Sequence, residues 1–289
     1  MTTRAVDDGG AAALNTDMVL PESAAAALAQ DIHPLLLQRI EDSSLNASAP
    51  PQQRWLDGWI VRTCPGKAKR ARCINAVAPG RRSPQDKLAE CEALFREAGL
   101  PLVVRITPFT EPAGLDAELA RQGWPMFDDT RVMVLANLDG RLGPEVANPA
   151  GLPPGWSETI EGPLDYARTV GALRGSSALE IESHAQRLQR SPVPYTGLVW
   201  RDAAGQVQAC GQFARDADLV GLYDIFTAPA ARGRGRARAL CARLLALARD
   251  QGARTAYLQV DAANAPARTV YARLGFLDAY TYHYRSREA

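Results

Sequence analysis

The segment Arg232-Gly233-Arg234-Gly235-Arg236-Ala237-Arg238 alternates arginine with small residues, between an apolar run and a long amphipathic stretch. Small residues at a helix start let backbone N–H groups come close to an anion, and the helix's partial positive charge adds to the attraction. Guanidinium groups match phosphate oxygens. Together these residue types fit a diphosphate. A solvated basic loop and a nucleic-acid patch draw on the same residues, and a glycine-rich loop alone does not separate the three. No Lys-Ser/Thr pair follows, so this is not a Walker A loop, and Arg238 stands where a dinucleotide fingerprint has a small residue.

The elements that must position this loop are readable from periodicity. Before it, residues 219–226 form a strand-like run. After it, a helix is expected over 236–251, with Leu240, Leu244, Leu245 and Leu247 toward the core. A strand over 256–260, a helix over 266–274 and a strand over 281–285 follow. Upstream, helices are expected over 164–173 and 181–188, then a hairpin of 197–200 and 207–213 about Asp202–Gly205. The first half reads as a helix from residue 22 through Ile40 that ends before Asp42-Ser43-Ser44. Strands over 55–62 and 71–77, a helix over 83–98, a strand over 102–106, a short helix over 113–121 and a strand over 131–135 come next. Glycines and prolines crowd residues 137–156. The organisation is a loose tail over 1–21, a first domain over 22–139, a linker over 140–156 and a second domain over 157–289.

The two halves repeat one unit. Ala120-Arg121-Gln122-Gly123-Trp124 aligns with Ala272-Arg273-Leu274-Gly275-Phe276, and Ala98-Gly99 with Gln251-Gly252. Each half reads helix, glycine, strand, helix, glycine-aromatic, strand, as two copies of one supersecondary unit would.

Composition limits what such a protein does. The 289 residues carry 33 basic and 32 acidic side chains, a net charge of +1, with no broad field for gripping nucleic acid or an anionic membrane. At 46% hydrophobic and 22% charged, the chain can pack a globular core. Five cysteines without a C-x-x-C pair argue against a disulfide framework or a zinc site, and no metal is expected. No apolar run of about 18 residues is present to cross a membrane. A cytoplasmic location is the expectation.

The order of motifs after the loop resembles the GNAT superfamily of acyl-CoA-dependent N-acetyltransferases. The superfamily's Q/R-x-x-G-x-G/A signature is met by Arg232, Gly235 and Ala237; Asn264, Tyr271 and Leu274-Gly275-Phe276 follow at the family's spacing. The resemblance implies an α/β fold of two tandem GNAT-like domains, each a mixed, mostly antiparallel sheet flanked by helices. It implies acetyl-CoA as acyl donor, held at its pyrophosphate by backbone amides from Gly233 to Arg238. Backbone N–H groups of Ile225, Phe226 and Thr227 would polarise the thioester carbonyl. Asn264 would contact the pantetheine arm, although before Ala265-Pro266 it also reads as a helix cap. Tyr271 sits where the family places the acid that protonates the leaving thiolate; a phenol of ordinary pKa about 10 is close enough to a thiol of about 8.5. For the base that frees the amine, Asp224 on the strand beside the acyl site is the leading candidate. Glu180, Glu182, His184 and His283 are alternatives.

The first half lacks both devices. Arg81-Arg82-Ser83-Pro84 stands where the phosphate loop belongs, and Leu119 stands in place of Tyr271. It is expected to be a degenerate GNAT-like domain that shapes the acceptor pocket or stabilises the fold, leaving one donor site per chain. The leading reading is N-acetylation of a primary amine on a small or amino-acid-like acceptor, in a monomer or homodimer with no nucleic-acid or membrane partner. The competing reading is a non-catalytic acyl-CoA sensor of the same fold.

Overall fold

The structure is a computed structural model that describes residues 32–138 and 151–287. The tail expected over 1–21 and most of the expected linker lie outside the described residues. In the first half, α1 is Pro34–Ala47, β1 Gln53–Leu56, β2 Trp59–Arg62, β3 Ile74–Ala76, α2 Pro84–Glu97, β4 Val103–Ile106, α3 Leu115–Arg121 and β5 Met126–Leu135. In the second half, β6 is Ser157–Glu161, α4 Pro163–Leu173, α5 Ala178–Gln189, β7 Tyr195–Arg201, β8 Val207–Asp216 and β9 Leu219–Thr227. The remaining elements are α6 Arg236–Asp250, β10 Thr255–Asp261, α7 Ala265–Arg273 and β11 Leu277–Ser286.

The eleven strands of the described residues form one mixed sheet in the order β1-β2-β3-β4-β11-β5-β10-β9-β8-β7-β6. The two halves exchange their last strands. β11 pairs antiparallel with β4 of the first half, and β5 pairs antiparallel with β10 of the second. β5 and β11 then pair with each other and fuse the half-sheets at the centre. β3–β4 and β9–β10 are the two parallel pairs, one in each half.

The repeat is visible in the backbone. Gly99, Gly123, Gly252 and Gly275 adopt φ of 65°, 79°, 96° and 91° just past the ends of α2, α3, α6 and α7. Glycine enters this left-handed region without the Cβ penalty, so it terminates a helix cleanly.

One apolar layer joins Leu240, Leu244, Leu258, Tyr271 and Phe276 beneath α6 and α7. Another sets Ile40 of α1 with Val132, Tyr223, Tyr257 and Tyr280. The first half has its own cluster around Trp59, Phe95, Leu119 and Trp124. All five cysteines are buried and unpaired, and burial pushes the thiols of Cys91, Cys210 and Cys241 up to about 12.

Three expectations about elements need correction. The strand expected over 55–62 is a hairpin, because Asp57 and Gly58 turn the chain at φ 44° and 86°, as an Asp-Gly two-residue turn does. α1 runs through Asp42-Ser43-Ser44 instead of ending there. Ser43 Oγ lies 3.0 Å from Tyr257 Oη and Ser44 Oγ accepts from Gln259 Nε2 at 2.7 Å, so tertiary partners take up hydroxyls that would otherwise compete with the helix. β6, at the sheet's edge, lay in a stretch with no strand expected; its sequence SETIE is largely polar and its Ile160 is exposed.

Candidate active site

β9 and β10 pair only over Leu219–Leu222 and Thr255–Leu258, then separate. Past that point, the β10-facing edge of β9 has no strand to bond. On the other side of β9 the register with β8 shifts between Cys210 and Gln212, a bulge in which Asp224 takes φ 51°. Gly211 lies opposite, and a Cβ there would come within 2.6 Å of Ile225 Cδ1. The gap between the strands opens into a cavity of about 330 Å³. Asp224, Ile225, Asn264 and Tyr271 line it, with Ser48, Ala68 and Arg70 of the first half.

The loop 232–235 is exposed at the start of α6. Gly233 and Gly235 hold φ of 72° and 70°; no side chain caps α6, and its first turn has no acidic residue. Gly235 at the cap therefore supplies no side-chain acceptor at the helix's positive end. Arg232 Nε donates to Thr227 O at 3.3 Å, and the Arg236 guanidinium lies 4.4 Å from the Trp156 ring centre.

The equivalent place in the first half is filled from within. Asp57 accepts from the backbone N–H of Arg81 and Arg82 at 2.9 and 2.8 Å, and these bonds hold its carboxyl below the usual carboxylate range. Ser83 Oγ caps α2 by accepting from Asp86 N at 3.1 Å. An internal carboxylate sits where the second half has its glycine-arginine loop.

Tyr271 projects from α7 into the cavity and is 9% exposed, and burial pushes its hydroxyl well above the ordinary phenol value. Asn264 caps α7, its Oδ1 accepting from Ala267 N at 3.2 Å, and also faces the cavity. Phe226 and Thr227 do not line the cavity; the Phe226 ring lies 6.0 Å from the Arg174 guanidinium and 5.8 Å from that of Arg232.

The base candidates separate by position. Asp224 Oδ1 accepts from Arg174 at 2.6 Å, Oδ2 accepts from Gln212 at 2.6 Å, and His184 Nε2 stands 3.2 Å from Oδ2. Burial opposes ionisation, but the His184 contact and the Arg174 charge outweigh it and hold this carboxyl well below its usual range. So depressed a carboxylate takes protons weakly; it suits orienting His184 better than acting as the base itself. The contact lies off line for a formed hydrogen bond, leaving His184 Nε2 without a bonded partner. Glu180 belongs to the capping box of α5 with Ser177 and pairs with Lys67 at 3.4 Å. Glu182 is exposed and accepts from Gln186 at 2.8 Å. His283 lies 2.9 Å from Asp116 and lines neither cavity described here.

A second cavity, of about 240 Å³, adjoins the first between α4, α5 and residues 64–71 of the first half. Both share Ala68, Arg70, Arg174, Arg187 and Asp224, and His184 lines the second. The arginines were not singled out from sequence, since no motif links residues so far apart. A cation near the end of a helix reads as ordinary dipole complementarity.

Residues 169–276 match the model of the Acetyltransferase (GNAT) family. A GCN5-related N-acetyltransferase from Kribbella flavida shares the fold with TM-score 0.61 and 18% identity, over 86% of this chain and 94% of that one. A tandem GNAT protein from the clavulanic acid biosynthesis pathway, solved without AcCoA, follows with TM-score 0.58 and 18% identity, over 72% of this chain and 71% of that one. No protein of curated function matches. Residues 169–276 thus match the GNAT acetyltransferase family, and the described chain shares its fold with GNAT proteins, a tandem one among them.

Proposed function

We propose that the chain is an N-acetyltransferase that moves an acetyl group from acetyl-CoA to a primary amine. The observation that carries this is the opening between β9 and β10, with Tyr271 inside it and an uncapped α6 beyond it. The amides from Gly233 to Arg238 suit the donor's pyrophosphate, and the unpaired edge of β9 at Ile225 suits its thioester carbonyl. Phe226 and Thr227 lie too far along the strand to line the cavity, so Ile225 is the stronger candidate of the three for that contact.

The amine nitrogen attacks the carbonyl carbon and the C–S bond breaks. The Tyr271 hydroxyl donates to the departing thiolate. Its raised pKa keeps it protonated at physiological pH, so hydrogen-bond donation outweighs acidity in its contribution. His184 takes the proton lost by the amine. With Nε2 turned toward the Asp224 carboxylate, Nδ1 is the nitrogen left to accept it. Asp224 is then a positioning residue. His184 then passes its proton to solvent and solvent protonates the thiolate held by Tyr271, so acyl donor and amine become amide and free thiol.

Calorimetric titration with acetyl-CoA, followed by an assay of CoA release with primary amines, tests the reading. One site per chain, lost in Gly235→Glu, with amine-dependent release, is the expected result. Donor binding without release to any amine would instead favour the sensor.

A further inference from the structure

The walls of the two joined cavities carry more positive than negative charge, and the surplus is concentrated. Four cations line them: Lys67, Arg70, Arg174 and Arg187. The acids are Glu180, Asp224 and Asp261. Arg174 is taken by Asp224 at 2.6 Å, and Lys67 by Glu180 at 3.4 Å. Asp261 accepts from Ala263 N at 2.7 Å. Arg70 and Arg187 remain, and neither is ion-paired with a described carboxylate; Arg187 adds to the field around Asp224 and engages the Tyr195 hydroxyl. Both border both cavities, so they stand where the two meet.

Arg70 is held in place. Its Nη1 donates to Gln259 Oε1, and its guanidinium lies 5.5 Å from the Tyr223 ring centre. Gln259 is itself fixed, donating to Ser44 Oγ at 2.7 Å and accepting from Tyr282 Oη at 2.8 Å. An arginine secured on one edge by such a network presents its remaining N–H groups to the cavity at little further entropic cost. Arg187 approaches from the last turn of α5. The donor's phosphates do not explain the pair, because the loop 232–235 that suits them lies at the start of α6 and lines neither cavity.

We infer that the acceptor carries, besides its amine, an anionic oxygen group, carboxylate or phosphate, that Arg70 of the first half and Arg187 of the second bind together. The inference rests on the acetyltransferase reading and deepens it. Guanidinium groups bind carboxylate and phosphate with the same fork of N–H donors, so the geometry fixes the shared chemistry and leaves the size of the anion to experiment. The first half then contributes directly to substrate choice, through a residue on the short turn Lys69–Ala71.

The test uses one primary amine in three forms that differ only at the far end: alcohol, carboxylate and phosphate. CoA release is measured with the full chain. One of the anionic forms should exceed the alcohol by about 10-fold or more in kcat/KM, the scale of one charge-assisted contact. The better of the two names the anion. Arg187→Gln and Arg70→Gln should each lower kcat/KM for that form by about 10- to 100-fold, chiefly through KM, and lower that of the alcohol form much less. An alcohol form used as well as both anionic forms would overturn the inference while leaving the acetyltransferase reading intact. So would variants that weaken all three forms equally. Donor binding with no release from any form would instead remove the acetyltransferase reading, and this inference with it.

Discussion

Arg174 Nη1 lies 2.6 Å from Asp224 Oδ1, across the space between the end of α4 and the bulge of β9. This ion pair ties the wall of the smaller cavity to the strand that lines the larger one. It also keeps Asp224 ionised, which makes the carboxylate a fixed feature of the site and, on the function proposed above, leaves proton transfer to His184.

Asp224→Asn and His184→Gln should therefore fail differently. Removing one partner of a mostly buried pair strands the other, and Asp224→Asn should lose about 2 kcal/mol of stability by denaturant unfolding, after allowing for partial exposure. His184→Gln should unfold at nearly the wild-type midpoint and lose about 100-fold in kcat. Equal losses of activity with equal losses of stability would assign both residues to structure alone.

Tyr271→Phe retains the buried ring and its edge-on contact with Phe276, whose centre is 6.2 Å away. Donor affinity should hold, while kcat falls by about 10- to 100-fold. A thioester with a more acidic thiol, which needs less help in leaving, should narrow the gap. The same loss with both thioesters would mean that the hydroxyl does not serve the leaving group.

Asp57→Ala opens the amides of Arg81 and Arg82 and takes a carboxylate from the neighbourhood of the buried Lys87 ammonium, 3.7 Å away. The melting temperature should fall by a few degrees. Acetyl-CoA stoichiometry should stay at one per chain, because emptying the cradle supplies neither the missing glycine pair nor the tyrosine. A second calorimetric site in this variant would show that Asp57 alone keeps the first half from binding donor.

Stability should form a plateau in pH. The folded protein holds Glu41, beside Arg105 and Tyr280, and Asp224 below their ordinary values, so the unfolded chain binds more protons in acid. Their contribution is complete above the unfolded carboxyl range of about 4 and is lost as pH falls through the lower folded values. Buried Tyr166, Tyr223 and Tyr257 act in the opposite sense: burial raises their folded pKa, so their contribution is complete below about 10 and is lost above it. Denaturant midpoints between about pH 3 and 11 should trace this shape, and Glu41→Gln should flatten much of the acid slope.

The conformation of the proposed donor side was legible because it is local. The glycine-arginine loop, the following helix, Asn264 and Tyr271 lie within 40 residues, and their conformations follow from residue type, such as glycine at positive φ and asparagine at a cap. The repeat was legible for the same reason. Each glycine that ends a helix leaves a mark in sequence. The proposed acceptor side was hidden because it is assembled at long range. Arg70, Arg174 and Arg187 belong to three segments of two halves, and each by itself is an ordinary basic residue near a turn or helix end. Asp224 was legible as a residue near the chemistry, but its low proton affinity depends on Arg174 and His184, which only the fold brings to it. Strand exchange left no trace either, since β11 has the alternation of a sheet strand whichever half it joins.

That exchange has a consequence for how the protein is made. β11 leaves the ribosome after every other described strand, yet it takes a place in the middle of the sheet. Until it arrives, β4 pairs only with β3 and β5 only with β10, so two open edges face each other without their common partner. A nascent chain stalled before residue 277 is not a nearly finished fold lacking an ornament. It is a pair of unsealed sheets, exposed to proteases and to one another, and the last ten-residue strand converts both at once into a sealed product.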